Sequence, residues 1–235
     1  EELKLPGFTS SALTLATNRY LTRCHWQHHK LPTSEFSLIQ FPSALLPATV
    51  SIGLPVRLSP IHYHLRHLYT HIQRETDASK SYQLIARTLQ RHILTHPTPL
   101  IENGQDPRTQ HHIRFSWMSD MLASADLTAT SVETTVLVHN HSPQVVTCTP
   151  IAHRRRNATP NLKRSDIVKM TELSIEGCKA LQIQSGVATC ILQHSANRIL
   201  LDGIIPNHVD GRLIPAIEAS CKRPWPEIMM TMALT

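Results

Sequence analysis

Seven residues, Met229-Met230-Thr231-Met232-Ala233-Leu234-Thr235, close the 235-residue chain with a short apolar run. A continuous apolar run of four to eight residues is typical of a strand that is buried on both faces. We therefore predict a buried β-strand over residues 228–235. Working back from it, the sequence predicts three more strands, over residues 167–175, 179–184 and 187–193.

Before residue 166 the pattern alternates between helices and strands. Ser10 or Ser11 can cap a helix that runs to about residue 22. Ser59-Pro60 predicts a second helix start, because proline is favoured at the first helical position, and Ser79 predicts a third. The sequence thus predicts helices that are interspersed with strands and then give way to them, in an α/β or α+β domain.

Two further strands are predicted, over residues 36–40 and 134–138. The stretch that begins at Ser142-Pro143 has two interpretations. Its serine and proline favour a helix start, whereas the β-branched residues that follow favour the second strand of a hairpin. Periodicity does not decide between them.

Composition narrows the class of protein. The net charge is +6, the sequence pI is about 9.3, and only 17% of residues are charged. The basic residues are scattered and lack interleaved aromatic residues, so nucleic acid is not expected as a partner. No apolar run is long enough to span a bilayer, so no membrane partner is expected. Five widely spaced cysteines predict reduced thiols, and a start at Glu1 predicts a piece of a longer protein.

The 16 histidines are densest between residues 62 and 71. On a helix His64, His67 and His71 share one face and form an alternative transition-metal site. No carboxylate completes the set, so the main expectation is no metal. On a strand, the same region is similar to the His-hydrophobic-His element of rolling-circle nucleases, which gives a His-rich, metal-dependent nucleic-acid-binding or nicking protein as an alternative function.

Short stretches along almost the whole chain match one family in their order and spacing. They are residues 21–26, 30–32, 36–39, 82–89 with His96-Pro97, 134–138, 154–162, 165–167, 187–192, 209–212 and 229–235. In these stretches the chain resembles the catalytic domain of the dihydrolipoyl acyltransferases of 2-oxoacid dehydrogenase complexes. The resemblance implies one domain over residues 1–235 with a chloramphenicol-acetyltransferase-like fold, a mixed sheet flanked by helices that forms trimers.

The resemblance also implies a catalytic apparatus of which one part is missing. The family uses a histidine in a His-x-x-x-Asp-Gly segment as general base and a Ser or Thr hydroxyl to bind the oxyanion. Ser174 is the candidate for a vestigial oxyanion hydroxyl, and Thr171 is the alternative. The base segment is absent after residue 235, and residues 208–211 are two residues too short to replace it.

An acyltransferase-like domain without its base is similar to fungal protein X of the pyruvate dehydrogenase complex. That similarity implies no catalysis, a homotrimer in the mitochondrial matrix, and docking on the dihydrolipoyl acetyltransferase core. Dihydrolipoyl dehydrogenase would be recruited, and lipoate carried, by modules outside this chain. The alternative within the same family is an active acyltransferase that is cut short before its base.

Overall fold

The structure is a computed structural model that describes residues 8–62, 65, 68–95, 120–151, 162–195, 198–209 and 211–234. The chain divides into two compact units, the first formed by Glu1–Thr33 with Thr128–Thr235 and the second by Ser34–Leu127. The described elements, in chain order, are α1 (Ser10–Thr17), α2 (Arg19–His28), β1 (Phe36–Ile39), α3 (Leu45–Ile52), β2 (Val56–Pro60), β3 (Thr70–Ile72), α4 (Ala78–Thr95), β4 (Asp120–Ser124), β5 (Thr130–His139), β6 (Ser142–Pro150), α5 (Arg164–Ala180), β7 (Gly186–Ser195), β8 (Arg198–Pro206), α6 (Ile214–Cys221) and α7 (Trp225–Leu234), with short 3-10 turns at Pro42–Ala44, Glu75–Asp77 and Gly211–Leu213.

The second unit is a four-stranded sheet with helices α3 and α4 packed on it. Its strand order is β1-β4-β2-β3, and every pairing is antiparallel. On α4 the buried residues Ile85 and Leu89 are four positions apart, so they lie on one face of the helix. They share a core with Leu45 of α3 and with five sheet residues, Ile39, Val56, Leu58, Ile72 and Leu122.

The first unit contains the other four-stranded sheet. Its strand order is β6-β5-β7-β8, and every pairing is again antiparallel. Alternate residues of a strand point to opposite faces. Cys190 of β7 belongs to the core that includes α5, whereas Val187 packs with Ile217 of α6 and Ile228 of α7. Helices thus cover both faces of β7, which explains why this strand is apolar along most of its length.

The predicted N-terminal helix is two helices that meet at Asn18. The backbone of Asn18 is extended (φ −108°, ψ 104°), which ends α1. Its side-chain oxygen accepts hydrogen bonds from the backbone N–H groups of Tyr20 and Leu21, which caps α2. The actual cap of α1 is Thr9, one residue before the predicted position.

The predicted strands over residues 167–175 and 179–184 are wrong. Helix α5 covers the first of them and extends to Ala180. Its buried residues include Met170, Ser174, Gly177 and Cys178, spaced as one face of a helix, whereas Val168 is exposed. Because two of these core positions carry serine and glycine, the helical period is hard to see in the sequence.

The predicted C-terminal strand over residues 228–235 is also wrong. The residues from Trp225 to Leu234 form helix α7. Ile228 and Met232, one turn apart, are buried, while Met229 and Met230 are exposed. The proline at position 226 lies in the first turn, where its missing N–H has no helical partner to lose.

The helix start predicted at Ser59-Pro60 is likewise wrong, because these two residues end strand β2. The hairpin interpretation of the stretch after Ser142 is confirmed by the antiparallel pairing of β5 and β6. The strands predicted at 36–40, 134–138 and 187–193 are confirmed as β1, β5 and β7. Two antiparallel sheets in separate units contradict the predicted chloramphenicol-acetyltransferase-like fold with one mixed sheet.

Candidate functional site

Ser174, the candidate oxyanion hydroxyl, lies on the buried face of α5. Its side chain is fully buried. Its hydroxyl donates to the carbonyl oxygen of Met170 at 2.8 Å and hydrogen bonds with the Thr134 hydroxyl at 2.6 Å. The bond to Thr134 connects α5 to β5, whereas the bond to Met170 lies within α5. The alternative residue, Thr171, is next to it in sequence, on the same helix.

Of the three histidines on the predicted helical face, the structure describes only His71, which is on a strand and not on a helix. His64 and His67 lie outside the described residues. His71 lies on strand β3, opposite Arg57 of β2. Burial lowers the pKa of the His71 imidazole, and the nearby Arg57 guanidinium lowers it further.

A buried cluster of charges joins helix α2 to strand β8. The fully buried Arg23 donates through Nη2 to the Asp202 carboxylate, and its Nε and Nη2 lie 3.3 and 3.2 Å from the Asp202 carbonyl oxygen. Arg19 Nη2 lies 3.7 Å from the same carboxylate. Two guanidinium groups therefore contact one acid, and this cluster fixes α2 against the sheet. The sequence signal for this cluster is a charged residue inside the apolar run 199–205, and the cluster was not predicted from it.

An open groove in the first unit combines groups of both charges. It has a volume of about 500 Å³ and lies between α5 and the adjoining ends of β7 and β8. We call it the α5 groove. Its lining residues are Asp166, Lys169, Glu172, Leu173, Glu176, His194, Ser195, Arg198 and Ile199.

Within the α5 groove, His194 and Asp166 form a half-buried pair. His194 Nε2 lies 3.1 Å from Asp166 Oδ2, and each side chain is 21% exposed. A carboxylate accepts the hydrogen bond, so Nε2 carries the proton of the neutral ring and Nδ1 keeps its lone pair. Lys169 and Arg198 add cations to the same groove. Glu172 and Glu176 add carboxylates, so the groove presents acidic, basic and imidazole groups side by side.

In the second unit a buried acid begins strand β4. Asp120 is 1% exposed and lies opposite Ile39 and Pro60 in the sheet. Its Oδ1 is buried without a hydrogen-bond partner among the residues that the structure describes. Burial raises the pKa of this carboxyl to about 7. Burial also raises the pKa of the Tyr82 phenol on α4, and the nearby Asp120 charge raises it further.

Two kinds of site, a membrane-spanning helix and a metal cluster, are absent from the described residues. Within the described ranges, no helix is both long enough and apolar enough to cross a bilayer. The same ranges contain no group of three or more His, Cys, Asp or Glu side chains that could hold a metal ion.

The fold is shared with solved structures of biotin carboxylases and of a ligase, although no protein-family model and no curated protein matches the sequence. Biotin carboxylase from Campylobacter jejuni, solved as a β-γ-ATP complex, matches 91% of this chain with a TM-score of 0.70 and 14% identity. D-alanine-D-alanine ligase from Coxiella burnetii matches 97% with a TM-score of 0.71 and 14% identity. The biotin carboxylase domain of Hydrogenobacter thermophilus 2-oxoglutarate carboxylase, in complex with MgADP, ADP and bicarbonate, matches 93% with a TM-score of 0.69 and 11% identity.

These three solved structures belong to the ATP-grasp fold, so they correct the acyltransferase resemblance. The assignment to a protein X-like scaffold is wrong, and its alternatives, a truncated acyltransferase or a nucleic-acid protein, have no support from these structures. The matched structures are enzymes, unlike the expected inactive scaffold, and the partnership with the acetyltransferase core and dihydrolipoyl dehydrogenase is wrong. The expected matrix location and the lipoate outside this chain stay untested predictions.

The chain spans about half of the length of each of these three proteins. It covers 45% of the Campylobacter carboxylase, 59% of the Coxiella ligase and 48% of the Hydrogenobacter domain. At 11–14% identity the similarity establishes the fold alone. In its fold, two antiparallel four-stranded sheets in two units, the chain is similar to ATP-grasp enzymes.

Proposed function

We propose that this chain is the nucleotide-binding part of an ATP-dependent ligase or carboxylase. The observation that supports the proposal is the fold, which matches a ligase and two biotin carboxylase structures over 91–97% of the chain. Ligases and carboxylases share one type of chemistry, since both form a new bond at the expense of ATP. Fold similarity alone is an analogy, so activity has to be tested on the protein itself.

The acceptor in this proposal is a molecule that carries a carboxyl group or is bicarbonate. One of the matched structures contains bicarbonate, and another is a ligase named for an amino acid. The α5 groove is the described site whose side chains suit such an acceptor. Lys169 and Arg198 supply positive charge for a carboxylate, and the His194–Asp166 pair can take up or return a proton.

The described residues assign no protein ligands to a magnesium ion of the kind that the MgADP complex contains. Magnesium prefers oxygen ligands, chiefly carboxylates together with substrate phosphates. No described group of three or more acidic, histidine or cysteine side chains could hold a metal ion. The buried Asp202 carboxylate on β8 contacts Arg23 and Arg19 instead. No step of the proposed reaction is therefore assigned to a metal ion.

The proposal is tested by following ADP formation from MgATP while acceptors are added. Bicarbonate and a panel of amino acids serve as acceptors, with chloride at equal ionic strength as the control. We expect one of these acceptors to raise the rate of ADP formation above the chloride control. A rate that no carboxyl or bicarbonate acceptor changes, in protein shown to be folded, would contradict the proposal.

The role of the α5 groove is tested separately, by substitution within it. Lys169→Met and His194→Gln each remove one group that the acceptor would contact. We expect a higher KM for the acceptor in Lys169→Met and a lower kcat in His194→Gln, with the KM for ATP unchanged in both. Lys80→Met, in the second unit, is the matched control. Unchanged acceptor kinetics in both groove variants would remove the groove from the proposal while leaving the ligase assignment standing.

A further inference from the structure

Three histidines lie together at the end of helix α2. The ring centroids of His25 and His29 are 5.0 Å apart, and those of His28 and His29 are 5.6 Å apart. His28 and His29 are exposed, whereas His25 is half-buried. His25 and His29 are separated by four positions, and the backbone N–H of His29 still donates to the His25 carbonyl oxygen at 3.1 Å. The two rings therefore extend from adjacent turns on one side of the helix.

The protonation of the His25 ring follows from its neighbour on α5. His25 Nε2 lies 2.7 Å from the carbonyl oxygen of Ala180. A carbonyl oxygen only accepts, so Nε2 must carry the hydrogen and donate it. In the neutral ring Nδ1 then keeps its lone pair. Metal-binding histidines in proteins commonly have this arrangement, in which the nitrogen that does not bind the metal donates to a backbone carbonyl or a carboxylate.

The separation of the rings fits two imidazoles that bind one cation. With a metal–nitrogen bond of about 2.0 Å and a ring radius of about 1.2 Å, two rings at a tetrahedral angle have centroids about 5.2 Å apart. At a right angle the same bond lengths give about 4.5 Å. The distance between His25 and His29, 5.0 Å, lies between these values.

His28 is not part of the same set. Neighbouring residues of a helix project in different directions, and the ring centroids of His28 and His29 are 5.6 Å apart, which is longer than both values given above. A pair rather than a triad also agrees with the described ranges, where no group of three or more such side chains could hold a metal ion. The remaining coordination positions of a cation bound to His25 and His29 face solvent and can be filled by water.

We propose that His25 and His29 form a peripheral binding site for a divalent first-row transition cation. Imidazole nitrogen suits copper, nickel and zinc, and the order of affinities places copper(II) first. The site is independent of the nucleotide-dependent function proposed above. A bound cation connects His25 and His29 across the last turn of α2. Because His25 also hydrogen bonds to Ala180, the cation strengthens the connection between α2 and the end of α5. Cation binding is therefore expected to stabilise the first unit against unfolding.

The test is a calorimetric titration of the whole chain with copper(II) and nickel(II) in a buffer that does not chelate metals. We compare the wild type with His29→Gln and His25→Gln. Loss of a ligand should weaken binding at least as much as loss of a second-shell partner, which reduces affinity about 10- to 100-fold. The copper(II) electron paramagnetic resonance spectrum should show coupling to two nitrogens in the wild type and fewer in each variant.

Two controls separate this site from the other histidines. His28→Gln and His141→Gln change exposed imidazoles, and we expect copper affinity within about threefold of the wild type, as for surface changes generally. Affinity and nitrogen coupling that are unchanged in both His29→Gln and His25→Gln would overturn the proposal, as would a greater loss in His28→Gln than in His29→Gln. If His25→Gln fails to fold, His29→Gln decides alone, because its side chain is exposed.

Discussion

Removing the carboxylate of Asp202 should destabilise the first unit severely. In the native protein this carboxylate contacts Arg23 and lies 3.7 Å from Arg19, and the two guanidinium groups are 0% and 3% exposed. Asp202→Ala deletes the acid and leaves both cations in the interior of the unit. The backbone carbonyl of residue 202 remains as an acceptor for Arg23, so one part of the contact survives.

The expected size of the effect follows from the burial of the partners. Breaking a buried ion pair by removing one member costs about 3–5 kcal/mol, because the other charge is left uncompensated. The surviving bonds to the carbonyl oxygen favour the lower half of that range. A whole domain is stable by only about 5–15 kcal/mol, so a large share of the stability is at risk. Asp202→Asn keeps the shape and one acceptor, and we expect it to lose less than Asp202→Ala.

The assay is urea unfolding, followed by circular dichroism and by tryptophan fluorescence. The free energy of unfolding is extrapolated to water, with the slope compared between variants. Glu176→Gln is the matched control, because it breaks the exposed pair of Glu176 and Lys179, whose side chains are 53% and 52% exposed. Exposed pairs contribute about 0–1 kcal/mol.

The result that would refute this reasoning is a small effect with an unchanged slope. If the free energy of unfolding of Asp202→Ala is within about 1 kcal/mol of the wild-type value, the buried cluster does not stabilise the packing of α2 on β8. A loss in Glu176→Gln equal to that in Asp202→Ala would also refute it, because burial would then not set the magnitude.

Three further predictions concern other buried groups. The pKa of Asp120 is raised in the folded protein, so the folded protein keeps a proton that the unfolded chain releases above about pH 4. The free energy of unfolding therefore falls by about 4 kcal/mol as the pH rises from about 4 to about 7. Asp120→Asn should remove that loss in urea unfolding at pH 4 and pH 8, and an unchanged pH dependence would contradict it. Cys178 and Cys190, buried with their sulfurs 3.8 Å apart, should resist iodoacetamide until urea unfolds the protein, as peptide mass mapping would show; native labelling would contradict this. Gly186→Ala should lower the unfolding free energy by about 1–3 kcal/mol, because φ is +127° and a Cβ would lie 3.1 Å from the Phe8 ring; wild-type stability would contradict it.

Local patterns with one clear period predicted the structure correctly. Residues 134–138 are β-branched or aliphatic throughout and form the centre of β5, which is paired on both sides. The helix predicted to start at Ser79 is confirmed as α4, which begins one residue earlier, at Ala78, and its apolar residues Ile85 and Leu89 recur with the helical period. In both elements the local preference and the tertiary packing agree.

Tertiary packing overrode the local signal where the two disagree. In α5 a core position is occupied by Ser174, whose hydroxyl is satisfied by Thr134 and by Met170, so a polar residue fills a site where periodicity expects an apolar one. In α7 the exposed Met229 and Met230 extend the apolar run beyond the buried face. Periodicity alone cannot distinguish such a run from a buried strand.

The candidate sites were still harder to predict, because they join distant parts of the chain. Asp166 and His194 are 28 positions apart, and Arg23 and Asp202 are 179 positions apart. These groups come together only because α5 and α2 pack on the sheet of the first unit. The resemblance to acyltransferases failed for a related reason, since short matches in order describe local chemistry and not the pairing of strands.

Equilibrium binding of labelled ATP to the whole chain tests the central claim most directly. Equilibrium dialysis against MgATP, with unlabelled ATP and unlabelled dihydrolipoamide as competitors, measures both affinity and stoichiometry. The ATP-grasp-like fold predicts saturable binding of one ATP per chain that ATP displaces and dihydrolipoamide does not. A folded chain that binds no ATP at millimolar concentration would contradict the proposed function.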